Sequence, residues 1–234
     1  MDMIKENKTE RSVPERGRII LFRKKITKWF RKNGRHYPWR KTDDPYKILM
    51  AEMMLQRTKA DQVVGVYNGF FSEYKCPEEV LKSDKASIIK YLKPLGLNWR
   101  IENLIEVSKS LIKSYNGVVP DNREELKHLP GVGDYIAGIV LSLAFNKNEW
   151  IVDSNVVRIF KRYFGMQTSK EGRRDSYIIA TAKLFSLENN AKEANLGLVD
   201  FGAIICLPKK PKCSECILKR GCEYKKQDNH HYKQ

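Results

Sequence analysis

No stretch of this chain approaches the roughly 18 consecutive apolar residues that a membrane helix needs, so no span is expected. The first residues, MDMIKENKTERSVPERGR, also lack the apolar core of an export signal. The expected location is therefore the cytosol, at the nucleoid if the source is a prokaryote. Acidic residues are in deficit, with 28 Asp/Glu against 44 Lys/Arg and a formal net charge of +16. The imbalance sits at the two ends. Residues 1–35 hold 12 basic and 4 acidic residues, and residues 206–234 hold 8 and 3. Two basic ends either remain solvated or build one surface for a polyanion, and nucleic acid is the partner such a surface fits. Cysteine is scarce: four of the five lie between positions 206 and 222. Without an export signal, that crowding argues for a metal centre and against disulfides.

What the chain does have is apolar periodicity at helical spacing nearly throughout, and 234 residues suffice for one large domain or two small ones. The organising stretch runs from Leu126 to Phe164. Pro130 ends a helical pattern, and Gly131 and Gly133 of LPGVG permit a tight turn. Asp134 is the expected N-cap of a helix whose apolar face carries Ile136, Ile139, Val140, Leu143 and Ala144. Tyr135, Gly138 and Ser142 fall on its opposite face, where the phenol is expected to look into a cleft. A helix–turn–helix of this kind is either a plain connection or a phosphate site built from the amides of Gly131, Val132 and Gly133. Asp153 opens the next helix and, at a helix N-terminus, is expected to keep a low pKa.

Upstream, PYKILMAEMMLQRT (Pro45 to Thr58) starts a strongly apolar helix with Glu52 inside it. A carboxylate there either finds a narrow wet side or is buried with a raised pKa, which would suit a general acid. Gln56 lies one turn on, followed by Arg57. HYPWR, His36 to Arg40, breaks the preceding helix and predicts a structural corner anchored by Trp39. Gly165–Asp175 predicts a polar loop. Cys206, Cys213, Cys216 and Cys222, spaced C-x6-C-x2-C-x5-C, can close around one inorganic centre. Spacing alone leaves zinc and iron–sulfur both open.

These motifs together resemble the helix–hairpin–helix DNA glycosylases, the superfamily of endonuclease III and the MutY-type adenine glycosylases. DDPYKILMAEMMLQRT, LPGVGDYIAGIVLSLAF, VDSNVVRIFKRYFG and NLGLVDFGAIICLPKKPKC are most similar to the archaeal-type mismatch-specific thymine-DNA glycosylases, and the likeness covers nearly all of residues 18–225. The resemblance implies an all-α, two-lobed fold. A six-helix lobe would span residues 37–146. Residues 1–36 and 147–234 would form a discontinuous second lobe with a [4Fe–4S] loop on the four cysteines.

The resemblance also implies site roles. Asp153, Tyr135 and Glu52 would be catalytic. The hairpin and Lys209, Lys210 and Lys212 would meet backbone phosphate. Gln56, Arg57 and a wedge at Leu97 would occupy the gap left by a flipped base, although adenine glycosylases commonly carry Gln where this chain has Arg57. Bifunctional relatives place a Lys where this chain has Tyr135, which has no amine for a Schiff base. The implied activity is monofunctional removal of thymine or uracil opposite guanine from double-stranded DNA. The expected protein is a monomer whose product passes to an abasic-site endonuclease. The alternatives are excision of adenine opposite 8-oxoguanine or guanine, excision of another modified base, or non-catalytic DNA binding. The domain that reads 8-oxoguanine in adenine glycosylases is not expected, because the chain stops soon after the cysteines.

Overall fold

The computed structural model describes residues 12–96 and 98–231, and among them every regular element is helical. No described helix is long and apolar enough to cross a membrane. Two apolar clusters organise the chain. One gathers residues from Trp39 to Ile151 together with Leu196. The other joins Ile19, Phe22, Ile26 and Trp29 of the first helix to residues 152–218.

Helix α1 (Arg16–Asn33) buries its apolar stripe on α11 (Ala191–Ile204). Phe22 sits in an aromatic nest, 4.7 Å from the Tyr163 ring and 5.7 Å from Phe185. Rings at such separations favour tilted and edge-on packing, which adds to the apolar area that they bury. Phe30, one turn beyond Ile26, packs against both clusters.

Helix α2 (Pro45–Met54) is the centre of the first cluster. Asp44 caps it, accepting from the amides of Tyr46 and Lys47, and Pro45 occupies the first turn, where its missing N–H costs nothing. The helix ends at Met54, and Arg57 follows in the left-handed region at φ 56°. Helices α3 (Ala60–Glu73) and α6 (Asn98–Tyr115) pack against it, with α4 (Pro77–Lys82) on α6 and α5 (Lys85–Leu92) against α3 and α6. Helices α7 (Arg123–His128) and α8 (Asp134–Ala144) flank the hairpin. Seven α-helices, not six, therefore lie between residues 37 and 146 among the described residues. The second cluster adds α9 (Ser154–Phe164) and α10 (Ser176–Ser186), and α12 (Glu223–His231) follows the cysteine loop. Leu97, the expected wedge, lies outside the described residues.

The expectation for α8 holds for Tyr135, which lines a cavity, but not for its small neighbours. Its Gly138 and Ser142 face does not border a cleft. Both residues are buried under the 149–152 segment, where Ser142 donates to the Glu149 carbonyl and receives the Asn195 amide. Arg123 fixes the same segment, donating to the carbonyls of Asp134 and Trp150 and pairing with Glu149, with its guanidinium 4.1 Å from the Trp150 ring. A Cβ at position 138 would run into the Trp150 carbonyl oxygen. Gly138→Ala should therefore destabilise the protein by about 1–3 kcal/mol, although alanine is favoured over glycine in a helix by up to about 1 kcal/mol. Urea unfolding checks this, and a variant as stable as the parent would contradict the packing described.

Candidate active site

Between the two apolar clusters lies a cavity of about 810 Å³ whose walls include Glu52, Tyr135 and Asp153. These three acids come from α2, α8 and the start of α9. Glu52 is 6% exposed, so the wet-side reading of this residue does not hold. Its carboxyl is pushed up to about 7. Burial is the main cause, the Arg40 guanidinium opposes it, and the charge of Asp153 adds to it. Near neutral pH such a group can hold a proton and release it. The Tyr135 side chain is half-buried, yet its hydroxyl is desolvated enough to lie well above the usual phenol range. Glu52 and Asp153 push it the same way.

Asp153 caps α9. One oxygen accepts the Val156 amide at 2.8 Å and the other accepts Nδ2 of Asn155 at 2.7 Å. Its pKa is nevertheless raised, not lowered as the helix N-terminus alone predicts. Desolvation outweighs the stabilising donors and the more distant Arg158. Both oxygens already accept hydrogen bonds, the arrangement that suits an ionised carboxylate. Asn155 continues to Arg158 through Oδ1 at 2.7 Å, and Arg158 Nε donates to the Cys206 carbonyl at 2.8 Å. A run of side chains thus ties the cap of α9 to the cysteine loop.

The cations nearest Glu52 and Asp200 are residues not assigned to the site by sequence. Arg40, in the HYPWR corner, donates to both oxygens of Asp200, at 2.8 and 3.0 Å. Arg35 reaches the same carboxylate through its backbone amide and Nε, both at 2.8 Å. Burial would raise the Asp200 pKa, but the Arg40 hydrogen bonds and charge, with Arg35, hold it below its ordinary value. Trp39 is buried and stacks on Tyr37 at 4.7 Å, so the corner anchors the fold and also places a charge beside Glu52. Asp200 was detectable by the same signal as Glu52, a carboxylate inside an apolar helix. Nothing local marks Arg40.

The hairpin lies at the rim. Gly131 has φ 76°, and a Cβ there would come within 2.9 Å of Asn103 Nδ2, so the turn requires glycine. Gln56 Nε2 donates to the Gly131 carbonyl at 2.9 Å, linking the end of α2 to the hairpin. Val132 is buried, and its amide bonds to the Leu129 carbonyl, so of its polar groups this N–H is already engaged. The N-cap of α8 is Gly133, not Asp134. Asp134 is instead the first helical residue, ion-paired with Lys127 at 3.4 Å and favourably placed for the helix dipole. Gln56, Arg57, Gly131 and Gly133 all line the cavity. Lys209, Lys210 and Lys212 are exposed on the cysteine loop and are not among its lining residues.

The four clustered cysteines are all half-buried. Burial pushes the Cys216 thiol up to about 11, and the charges of Cys222, Cys206 and Cys213 act in the same direction, so the four sulfurs share one neighbourhood. Among the described residues no three His, Cys, Asp or Glu side chains close around a single ion. A four-iron cluster asks for something different: four thiolates arranged around a larger body. The all-thiol donor set fits that group.

The sequence profile of the "HhH-GPD superfamily base excision DNA repair protein" family matches residues 50–179. The chain is 41% identical to a thymine/uracil-DNA glycosylase of Methanothermobacter thermautotrophicus, over 87% of this chain and 93% of that one. It is 37% identical to a thymine-DNA glycosylase of Aeropyrum pernix, over 92% and 98% of the two chains. The solved structure of a thermostable thymine-DNA glycosylase superposes with a TM-score of 0.83 at 39% identity, covering 90% of this chain and 98% of that one.

The raised Glu52 pKa has a stability consequence of defined sign. The folded protein holds this proton more tightly than the unfolded chain, whose Glu titrates near ~4.3. The stabilisation is complete below that value and is lost as pH rises through about 7. Glu52→Gln, which cannot ionise, should therefore be more stable than the parent at pH 8.5, by roughly 1–3 kcal/mol. The gap should close towards pH 4.5. Parallel unfolding profiles for the two proteins across this range would contradict the assignment.

Proposed function

The chain belongs to the HhH-GPD superfamily of base excision DNA repair proteins and is a DNA glycosylase, and we propose that it removes thymine or uracil mispaired with guanine without cleaving the strand. The observation that carries this reading is the cavity in which Glu52, Tyr135 and Asp153 converge with no lysine amine among its lining residues. The names of the relatives, thymine/uracil- and thymine-DNA glycosylase, support the choice of base.

A base inside a duplex cannot reach this cavity, so it must be turned out of the stack, at a cost of a few kcal/mol that is lower for a mispair. Gln56 and Arg57 occupy the vacated space, and the amides of Gly131 and Gly133 hold the backbone beside it. The bond between C1′ and the base nitrogen then breaks, and its electron pair leaves with the base. Positive charge builds on the sugar, facing the Asp153 carboxylate. Glu52 in its acid form donates a hydrogen bond or a proton to the departing base, and the Tyr135 phenol supplies a second donor. Arg40, held by Asp200, limits how far the Glu52 pKa rises. Asp153 accepts a proton from the water that adds to C1′. The products are free base and an intact strand with an abasic sugar, the substrate of an abasic-site endonuclease.

Cys206, Cys213, Cys216 and Cys222 would hold a [4Fe–4S] cluster, which supplies a cross-link fixing the 206–222 loop. Protein prepared without oxygen should be yellow-brown and carry about four irons per chain. Stoichiometric zinc without iron would overturn the cofactor assignment.

Asp153→Asn tests the chemistry. Asparagine is itself a good N-cap, so α9 should remain intact in a melting curve. Removing the charge should slow single-turnover excision by about 100-fold or more. The same assay on T:G, U:G, A:G and A:8-oxoguanine duplexes, followed by alkali, reports which base leaves. Near-parental rates in the variant, or excision confined to adenine, would refute the proposal.

A further inference from the structure

A second cavity, of about 980 Å³, lies on the outer side of α9 and is lined by Ser154, Val157, Arg158, Lys161, Lys170 and Arg173 among others. It borders the first cavity, since Gly133, Tyr135, Val152 and Arg173 line both. We propose that this cleft carries the sugar–phosphate backbone of the strand whose base enters the pocket, with Lys161, Lys170 and Arg173 as the phosphate contacts. The proposal rests on the glycosylase reading and adds the path of the strand to it.

Three observations support the cleft as a built surface. The first is the loop opposite α9, which is braced. Asp175, 3% exposed, accepts from the amides of Ser169 at one end and of Tyr177 and Ile178 at the other. The second is that Gly172 lets the loop lie directly on α9, because a Cβ there would come within 2.8 Å of Val157 Cγ1. The third is the disposition of charge. Arg158 and Arg162 are committed to the carbonyls of Gly202, Cys206, Leu207 and Pro208, and Arg174 pairs with Glu171 at 3.2 Å. Lys161, Lys170 and Arg173 are exposed and unpaired among the described residues, so their charge faces the cleft and solvent. Three exposed cations lining a cleft that borders the base pocket, with the first residue of α9, Ser154, also in its wall, fit a polyanionic strand.

The test is equilibrium binding of the full chain to a duplex with a tetrahydrofuran abasic analogue opposite guanine, measured against potassium chloride. Each neutralised phosphate contributes roughly 0.9 to the slope of log K against log salt. Lys161→Ala, Lys170→Ala and Arg173→Ala should each lower the slope by about one, and the triple variant by about two to three. Neutral methylphosphonates placed singly along each strand assign the path. The parent should lose affinity at positions beside the analogue on its own strand, and the triple variant should be insensitive there. An unchanged slope, or sensitivity confined to the complementary strand, overturns the proposal. Excision by the parent protein on T:G duplex, measured from the same preparation, shows separately whether the glycosylase reading itself stands.

Discussion

The placement of the Glu52 carboxyl among the methionines and leucines of α2, beside a second carboxylate, is the constraint on which the site depends. Two such groups cannot both ionise cheaply in an apolar setting. The structure divides them by their donors. Asp153 is met by a backbone amide and the Asn155 side chain, whereas Glu52 is enclosed by the apolar residues of α2, and the charge of Arg40, itself locked to Asp200, only partly offsets that burial. One acid is equipped to remain charged and the other to keep its proton, the pairing on which the proposed cleavage of the glycosidic bond rests.

The surrounding fold keeps these groups in register. Arg123 clamps the 149–152 segment to the start of α8, so Tyr135 and Asp153, which begin two different helices, are fixed relative to one another. Gln56 performs a similar task between α2 and the hairpin. The acids therefore sit on helix starts and a helix interior, not on free loops, and little conformational entropy remains to be lost when a substrate enters.

Much of this was legible in the sequence, for physical reasons that differ by residue. Pro130, Gly131 and Gly133 punctuate the chain, so the hairpin announces itself locally. Glu52 stands out because an acid in an apolar helix is costly. Asp200 carries the same signal in NLGLVDFGAII, but its meaning depends on Arg35 and Arg40, about 160 positions away, and only folding brings them together. The Asp153 pKa is misjudged from sequence because helix-start donors are local and burial is tertiary. The cap of α8 is Gly133 and not Asp134 because the backbone at Gly133 is still extended while Asp134 is already helical. The cleft beside α9 is hidden because Lys170 and Arg173 lie in what reads as an ordinary polar loop and Lys161 on the solvent face of a helix.

The central claim is the division of labour between the two carboxyl groups, and the pH dependence of single-turnover excision on a T:G duplex tests it most directly. The account predicts a bell. The rate should rise as the Asp153 side of the pair ionises and fall as pH passes about 7, where Glu52 gives up its proton. In Glu52→Gln the alkaline fall should disappear. A rate that is flat or still rising through pH 8, or an alkaline limb that survives in the Gln variant, would contradict the account.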